Sequence, residues 1–314
     1  MEKKRIKKLR IGTRGSKLAL WQAQWIKAKL LETHPGLRAE LVRIKTSGDR
    51  ILDVPLAKIG GKGLFVKEIE NALLKGDIDL AVHSMKDVPI IIPPGLSLPC
   101  VSQREAPFDI LISKGGFRLK DLQPGAKVGT SSLRRQAQLL HFRQDLVIVP
   151  LRGNLETRIR KLKEQDLDAI VLASAGVKRM GLNDQVTETI PTEICLPAIG
   201  QGVLAIETRL NDQAVKETIA FLNDEETTVV MEAERAFLRR LGGGCQVPIA
   251  AYARLLGDGL EIEGMVASVN GKKVVRQSRR GKREEAKALG IELAERIRSL
   301  GGDEILREIH EDSR

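Results

Sequence analysis

The spacing of hydrophobic positions changes repeatedly along this chain, and each change marks an element. LRIGTR (9–14) reads as a short strand. It runs into a helix from about Ser16 to Thr33, with Ser16 suited to the N-cap and Leu18, Trp21, Trp25 and Ala28 near one face. That spacing assigns both tryptophans to the core rather than to a base-stacking platform. AELVRIK (39–45) reads as a second strand, and the Gly-rich stretch 45–63 as a mobile loop. A helix over about Leu64 to Lys75 places Phe65, Ile69, Ala72 and Leu73 at i, i+4, i+7 and i+8, and DLAVHS (79–84) is a third strand. Such alternation signals an α/β domain on parallel sheet.

Pro93-Pro94-Gly95 and the segment near 100–109 suggest a crossing into a second unit with the same rhythm. Strands are expected at ILISK (110–114), AKVGTS (126–131), LVIVPL (146–151) and DAIVLA (168–173), with helices from Ser132 to Phe142 and from Asn154 to Glu164. VLAIETR (203–209) reads as a strand that could return to the first sheet. The last ninety residues change character. A helix of about 226–240 leads to Gly242-Gly243-Gly244-Cys245. LEIEGMVASV and KKVVRQS then form a hairpin around Asn270-Gly271, and Leu289, Leu293, Ile297 and Leu300 mark an amphipathic helix. Strands followed by a helix describe a small α+β domain.

Composition narrows the chemistry. Aromatic residues make up 3%, so the cores must be built from Leu, Ile, Val and Ala. Lys and Arg number 52 against 41 Asp and Glu, a formal +11 that implies an anionic partner without saying which. The three cysteines, at 100, 195 and 245, form no CxxC, which argues against a disulfide framework and fits a reducing compartment. The histidines at 34, 83, 141 and 310 lack metal-ligand spacing, so no metal is expected. No apolar h-region follows the charged N-terminus and no stretch approaches the ~20 residues of a membrane span. A cytoplasmic protein is the expectation.

Several residue groups could carry chemistry. Cys245 follows three glycines, so a large partner could reach its thiol, although a small buried cysteine at a domain edge is the simpler reading of the spacing. Asp87 lies in HSMKDVP (83–89), just past a strand end, where open α/β sheets place their sites; Lys86 beside it favours the ionised form. A surface turn closed by Pro89 explains the same residues equally well. Three strand–helix junctions carry polar and basic groups: Arg14 and Ser16; Thr130, Ser131 and Ser132 with Arg134 and Arg135; and Arg152, Gly153 and Asn154 with Arg158. Helix N-termini and bidentate guanidinium groups both suit carboxylate or phosphate. Arg134 and Arg135 stand ~100° apart on a helix, which predicts that they do not serve one ligand equally. Lys58 and Lys62 flank Gly60-Gly61, where a solvated loop is the plain alternative. No P-loop, GxGxxG, GxSxG or HExxH motif occurs.

KIGGKGLFVKEIENALL (58–74), HSMKDVP, GTSSLRRQ (129–136), LRGNLETR (151–158), LPAIGQG (196–202), AERAF (233–237) and GGGCQVP (242–248) together resemble the porphobilinogen deaminase family, in that family's order. The resemblance implies two α/β lobes like those of periplasmic binding proteins around a cleft, plus a small C-terminal α+β domain. The expected bounds are 1–103 with 203–222, then 104–202, then 223–314. It implies a dipyrromethane cofactor on Cys245 through a thioether and Asp87 as the catalytic carboxylate. Arg14, Ser16, Lys86, Thr130, Ser131, Ser132, Arg134, Arg135, Arg152 and Arg158 would bind the carboxylates of cofactor and porphobilinogen. Gln201 and Gly202 would line the cleft, with Lys58 and Lys62 on a loop over it. Gly15 departs from the bulkier polar residue frequent at that position of the family. A monomer is implied, with neither nucleic acid nor membrane as partner.

Two other readings compete. A two-lobed anion-binding protein would use the same helix N-termini but needs neither Cys245 nor Asp87. A nucleic-acid-binding protein requires a clustered basic stripe and exposed aromatics, whereas the basic residues here sit at separate junctions.

Overall fold

The computed structural model describes residues 6–50, 66–243 and 247–312. The chain begins with β1 (Lys8–Thr13), α1 (Lys17–Thr33), β2 (Arg38–Arg43), a single turn α2 (Ser47–Arg50), α3 (Lys67–Lys75), β3 (Leu80–Ser84) and β4 (Leu96–Val101). It continues with β5 (Asp109–Ser113), β6 (Lys127–Gly129), α4 (Leu133–Phe142), β7 (Val147–Val149), α5 (Leu155–Glu164), β8 (Ala169–Ala173), α6 (Ser174–Arg179) and β9 (Glu188–Thr189). The remainder comprises β10 (Leu204–Arg209), α7 (Gln213–Ile219), α8 (Glu225–Leu241), β11 (Ile249–Leu256), β12 (Gly259–Ala267), β13 (Val274–Lys282), α9 (Ala286–Ile297) and α10 (Asp303–Asp312). Two compact units result. One takes the described parts of Met1–Leu52 and Gly61–Arg104 together with Val203–Thr228; the other takes Glu105–Gly202 and the described part of Val229–Arg314.

The first unit holds a five-stranded sheet in the order β2-β1-β3-β10-β4. β1 runs parallel to β2 and β3, while β10 is antiparallel to β3 and β4. The sheet is therefore mixed rather than wholly parallel, because β10 enters it from the opposite end. One face packs Leu9, Ile11, Leu80, Val82, Leu204 and Ile206 against Ala23, Ile26 and Leu30 of α1. The other packs Ala81 against Ile69 and Leu73 of α3. The buried stripe of α1 is thus Gln22, Ala23, Ile26 and Leu30, not the tryptophan face. Trp25 packs partly against the core, but Trp21 is 38% exposed, a correction to its assignment as core. Large aromatic residues tolerate a surface position on an amphipathic helix when a smaller stripe beside them closes the core.

In the second unit a five-stranded sheet runs β7-β6-β8-β5-β9, with β6 parallel to β7 and β8, and β5 antiparallel to β8 and β9. A three-stranded antiparallel sheet, β11-β12-β13, follows, with Leu289, Leu293 and Ile297 of α9 buried. Its β12–β13 connection contains the expected Gly271 in left-handed backbone (φ +70°), and a Cβ there would stand 2.4 Å from the Ala137 carbonyl oxygen of α4. The Gly271 carbonyl also lies 3.0 Å from His141 Nδ1, so the hairpin tip abuts α4. Leu300 is exposed, because the regular turns of α9 stop at Ile297 and the chain turns at Gly301 (φ +104°).

Candidate active site

The turn Met85–Asp87 continues directly from β3 and lifts Asp87 to the surface, with Lys86 half-buried beside it. Its backbone is pinned at both ends: Met85 N donates to Val203 O (2.9 Å) and Val88 N to Met85 O (3.1 Å). Across the sheet, β1 ends one residue before Arg14, and Ser16 caps α1, its hydroxyl accepting from Ala19 N (3.3 Å). Arg14, Ser16, Gln22, His83, Ser84 and Asp87 all line one recess of about 70 Å³. A helix N-terminus and a guanidinium there favour an anion, and Asp87 on the same wall favours developing positive charge.

In the second unit, adjacency of β6 and β7 brings the N-termini of α4 and α5 side by side. Ser131 Oγ donates to Leu151 O (3.0 Å), and Thr130 N to Val149 O (2.9 Å), so the GTSS and LRGN junctions are stitched together. Ser132 caps α4 through Arg135 N (3.4 Å), Thr130 Oγ1 accepts from Ser132 N (3.2 Å), and Asn154 caps α5 through Thr157 N (2.9 Å). Gly153 takes φ +115°, and its carbonyl accepts from Arg158 Nε (2.9 Å), folding that side chain back over the junction. Arg152 is half-buried at the same turn.

Arg134 and Arg135 do converge, contrary to the angular argument, because side chains this long are not bound by the 100° step between their Cα atoms. Both reach Asp109, which is fully buried at the start of β5. Arg134 Nη1 lies 2.7 Å from Oδ2, and Arg135 donates to Oδ1 through Nε (3.1 Å) and Nη2 (2.7 Å). Burial opposes ionisation of Asp109, but the two guanidinium groups overcome it and hold the carboxyl well below the usual carboxylate range. Gln201 belongs to this buried hub: it is 1% exposed and its Nε2 donates to Asp109 Oδ1 (3.0 Å) and Pro107 O (2.6 Å). Cys195 Sγ stands 3.3 Å from Oδ2, and burial pushes its thiol up to about 12. Two cations on one anion leave an excess positive charge under the α4 N-terminus.

Three participants were missed in the sequence. Asp109 is one, although an acid opening an otherwise apolar strand, DILIS, was a usable signal. Arg179 is another: its Nη2 donates to Gly202 O (2.7 Å), and burial lowers its pKa against the opposing charge of Glu105. The third, Glu234, is fully buried on α8 and accepts from Gly200 N (2.8 Å) and Ala253 N (2.9 Å), tying the LPAIGQG turn to β11. Cys245, Lys58 and Lys62 lie outside the described residues. No helix among the described residues is long and apolar enough to cross a membrane.

Comparison with known proteins supplies independent findings. The family model "Porphobilinogen deaminase, dipyromethane cofactor binding domain" matches residues 9–217, and "Porphobilinogen deaminase, C-terminal domain" matches residues 228–299. The porphobilinogen deaminase of Geobacter sulfurreducens is 57% identical over 306 residues, covering 98% of this chain and 96% of that protein. That of Geobacter metallireducens is 56% identical, covering 97% and 96%. Among solved structures, a probable amino-acid ABC transporter extracellular-binding protein from Bacillus subtilis aligns with a TM-score of 0.42 at 12% identity, covering 75% of this chain and 97% of that one. The periplasmic aliphatic sulphonate binding protein of Escherichia coli aligns with a TM-score of 0.39 at 16% identity, covering 74% and 70%.

Proposed function

The chain belongs to the porphobilinogen deaminase family, and from that premise we propose that it joins four porphobilinogens head to tail, with loss of ammonia, and releases hydroxymethylbilane by hydrolysis, water supplying the hydroxyl group. In this reading it is a transferase of porphyrin and heme biosynthesis, acting as a cytoplasmic monomer. The dipyrromethane cofactor, attached to Cys245 through a thioether, supplies the pyrrole carbon on which assembly starts.

The residues suit such a polyacid. Among the described residues Arg134 and Arg135 share one buried carboxylate, two cations on one anion, and capped helix N-termini stand beside them. Six rings with two carboxylates each bring about twelve negative charges, which only a strongly basic site can screen. Arg14 and Ser16 hold a substrate carboxylate at the α1 N-terminus. Thr130, Ser131, Ser132, Arg152 and Arg158 hold others at the paired junctions of the second unit, with Arg134 and Arg135 behind them. Lys86 adds a cation beside Asp87, Lys58 and Lys62 add two more, and Gln201 and Gly202 shape the turn that braces the arginines.

Asp87 has two tasks. Its carboxylate stabilises the positive charge that develops on the substrate pyrrole as ammonia leaves. Once the free α-carbon of another pyrrole has bonded to the methylene that ammonia left, it accepts the proton which that α-carbon releases to restore aromaticity. The observation that carries this reading is the exposed Asp87 carboxylate in one recess with Arg14 and the Ser16-capped helix. An anion-binding protein without catalysis has no use for that carboxylate. The intact mass of the purified chain tests the proposal. An excess equal to a two-ring pyrrole adduct, absent from Cys245→Ala, is expected; a bare-chain mass in protein that still consumes porphobilinogen would overturn it.

A further inference from the structure

The end of β3 is held by polar contacts on both faces of the first sheet. Side chains alternate along a strand, and here Leu80 and Val82 join the α1-facing core while Ala81 joins the α3-facing one. Ser84 follows the first parity and meets Gln22 of α1, whose Nε2 donates to Ser84 Oγ (3.1 Å). His83 follows the second, and its Nε2 lies 3.0 Å from Glu207 Oε2 on β10. Gln22 is 3% exposed, His83 5% and Glu207 1%. Gln22, His83 and Ser84 also line the recess that Asp87 enters.

We propose that His83 and Gln22 are positioning residues for Asp87: anchored to Glu207 on one face and to Ser84 on the other, they set the height and direction of the turn on which Asp87 stands. The proposal rests on the catalytic reading of Asp87 given above. Stability alone is a poor reason for the His83–Glu207 pair. Desolvation largely cancels the attraction within a buried polar pair, and apolar residues of equal volume serve a sheet as well or better. Glu207 moreover leaves its Oε1 buried without a hydrogen-bond partner among the described residues. Glu70 of α3 adds a second acid: burial, and then the charge of Glu207, push its carboxyl up. What such an arrangement provides, and an apolar one does not, is direction. A hydrogen bond fixes the ring and, through it, the last residues of the strand. The paired contact on the α1 side prevents tilt the other way.

The test uses the cofactor-loaded enzyme and two readouts, steady-state kinetics and amide hydrogen exchange of the 84–89 turn. His83→Leu and Gln22→Leu are each expected to lower kcat about ten- to hundredfold, the scale of a misplaced catalytic group, with KM within about twofold. Exchange at Met85 and Val88 is expected to quicken at least about tenfold while the amides of β1 and α1 keep their protection. His83→Gln, whose amide reaches as far as the imidazole Nε2 and still donates to Glu207, is expected to recover most of the lost kcat and protection. The proposal is overturned if His83→Leu keeps both kcat and turn protection, if the glutamine variant is no better than the leucine variant, or if exchange rises uniformly across the unit. Should His83→Leu fail to fold, Gln22→Leu decides by the same criteria. Full activity in Asp87→Ala would remove the catalytic reading instead, and leaves the exchange result to stand or fall by itself.

Discussion

Replacing Asp109 with Asn isolates one charge in the middle of the second unit. The shape is kept, but the carboxylate that faces Arg134 and Arg135 becomes an amide, and its NH₂ points a donor at donors. Arg134 and Arg135 are 6% and 5% exposed, so neither can recover its hydration. Removing one partner of a buried ion pair costs about 3–5 kcal/mol, because the remaining charge is left uncompensated. In a unit of this size each kcal/mol moves the melting temperature by roughly 2–4 °C, so a fall of about 6–20 °C is expected. The oxygen that becomes NH₂ also ceases to accept from its neighbour, Gln201 at Oδ1 or Cys195 at Oδ2, which acts in the same direction. The charge also predicts a pH profile. A carboxyl held below its ordinary value stabilises the fold at pH above about 4, and that contribution disappears only as acid carries the pH down through the lowered value. Wild type should therefore lose this stability only in strong acid, while Asp109→Asn lacks it throughout. Differential scanning calorimetry at pH 7 and along an acid series reads both effects. A variant melting within about 2 °C of wild type at pH 7 would refute the hub as the charge centre of this unit.

Other expectations follow from the site. Asp87→Ala should nearly abolish turnover in a steady-state assay while its melting temperature stays within about 2 °C of wild type, since Asp87 is exposed. Arg152→Leu should stall loading or elongation, visible as accumulated short intermediates in native mass spectra, with little loss of stability. Arg134→Leu and Arg135→Leu should stall it too, but these variants also melt lower, because each removes a guanidinium from Asp109. Burial pushes the thiols of Cys100 and Cys195 up to about 12, so neither should be alkylated by iodoacetamide in the native protein at pH 8, as peptide mass spectrometry can check.

Most of the strand and helix pattern was legible because both five-stranded sheets are built from short apolar runs alternating with helices. The exceptions have physical causes. β4 carries Pro99, which argues against a central strand; it is accommodated because β4 is the edge of its sheet. β11, IAAYARLL, lacks the β-branched density of its neighbours. The α1 stripe was misread because Gln22, a polar residue, sits in the buried row and bonds Ser84, while Trp21 faces out. The site divided in the same way. Residues whose chemistry is local, such as the caps Ser16, Ser132 and Asn154, could be read from their position before a helix. Asp109 offered only the hint of an acid opening an apolar strand, and the roles of all three of Asp109, Glu207 and Glu234 depend on partners between 19 and 124 residues away in the chain.

β10 lies between β3 and β4, yet it is the last strand of its sheet to be synthesised. Until residue 209 leaves the ribosome, β3 has an open edge where its inner neighbour belongs, and the segment that presents Asp87 has no Val203 carbonyl to hold Met85. The 105–202 segment, with all five of its own strands, emerges complete before that. Of the two five-stranded sheets, the one begun first is therefore the last to have all its strands available, and it must wait, partly assembled, for β10. Truncated nascent chains ending before β10 should be protease-sensitive in their N-terminal hundred residues and become resistant there once the strand has emerged.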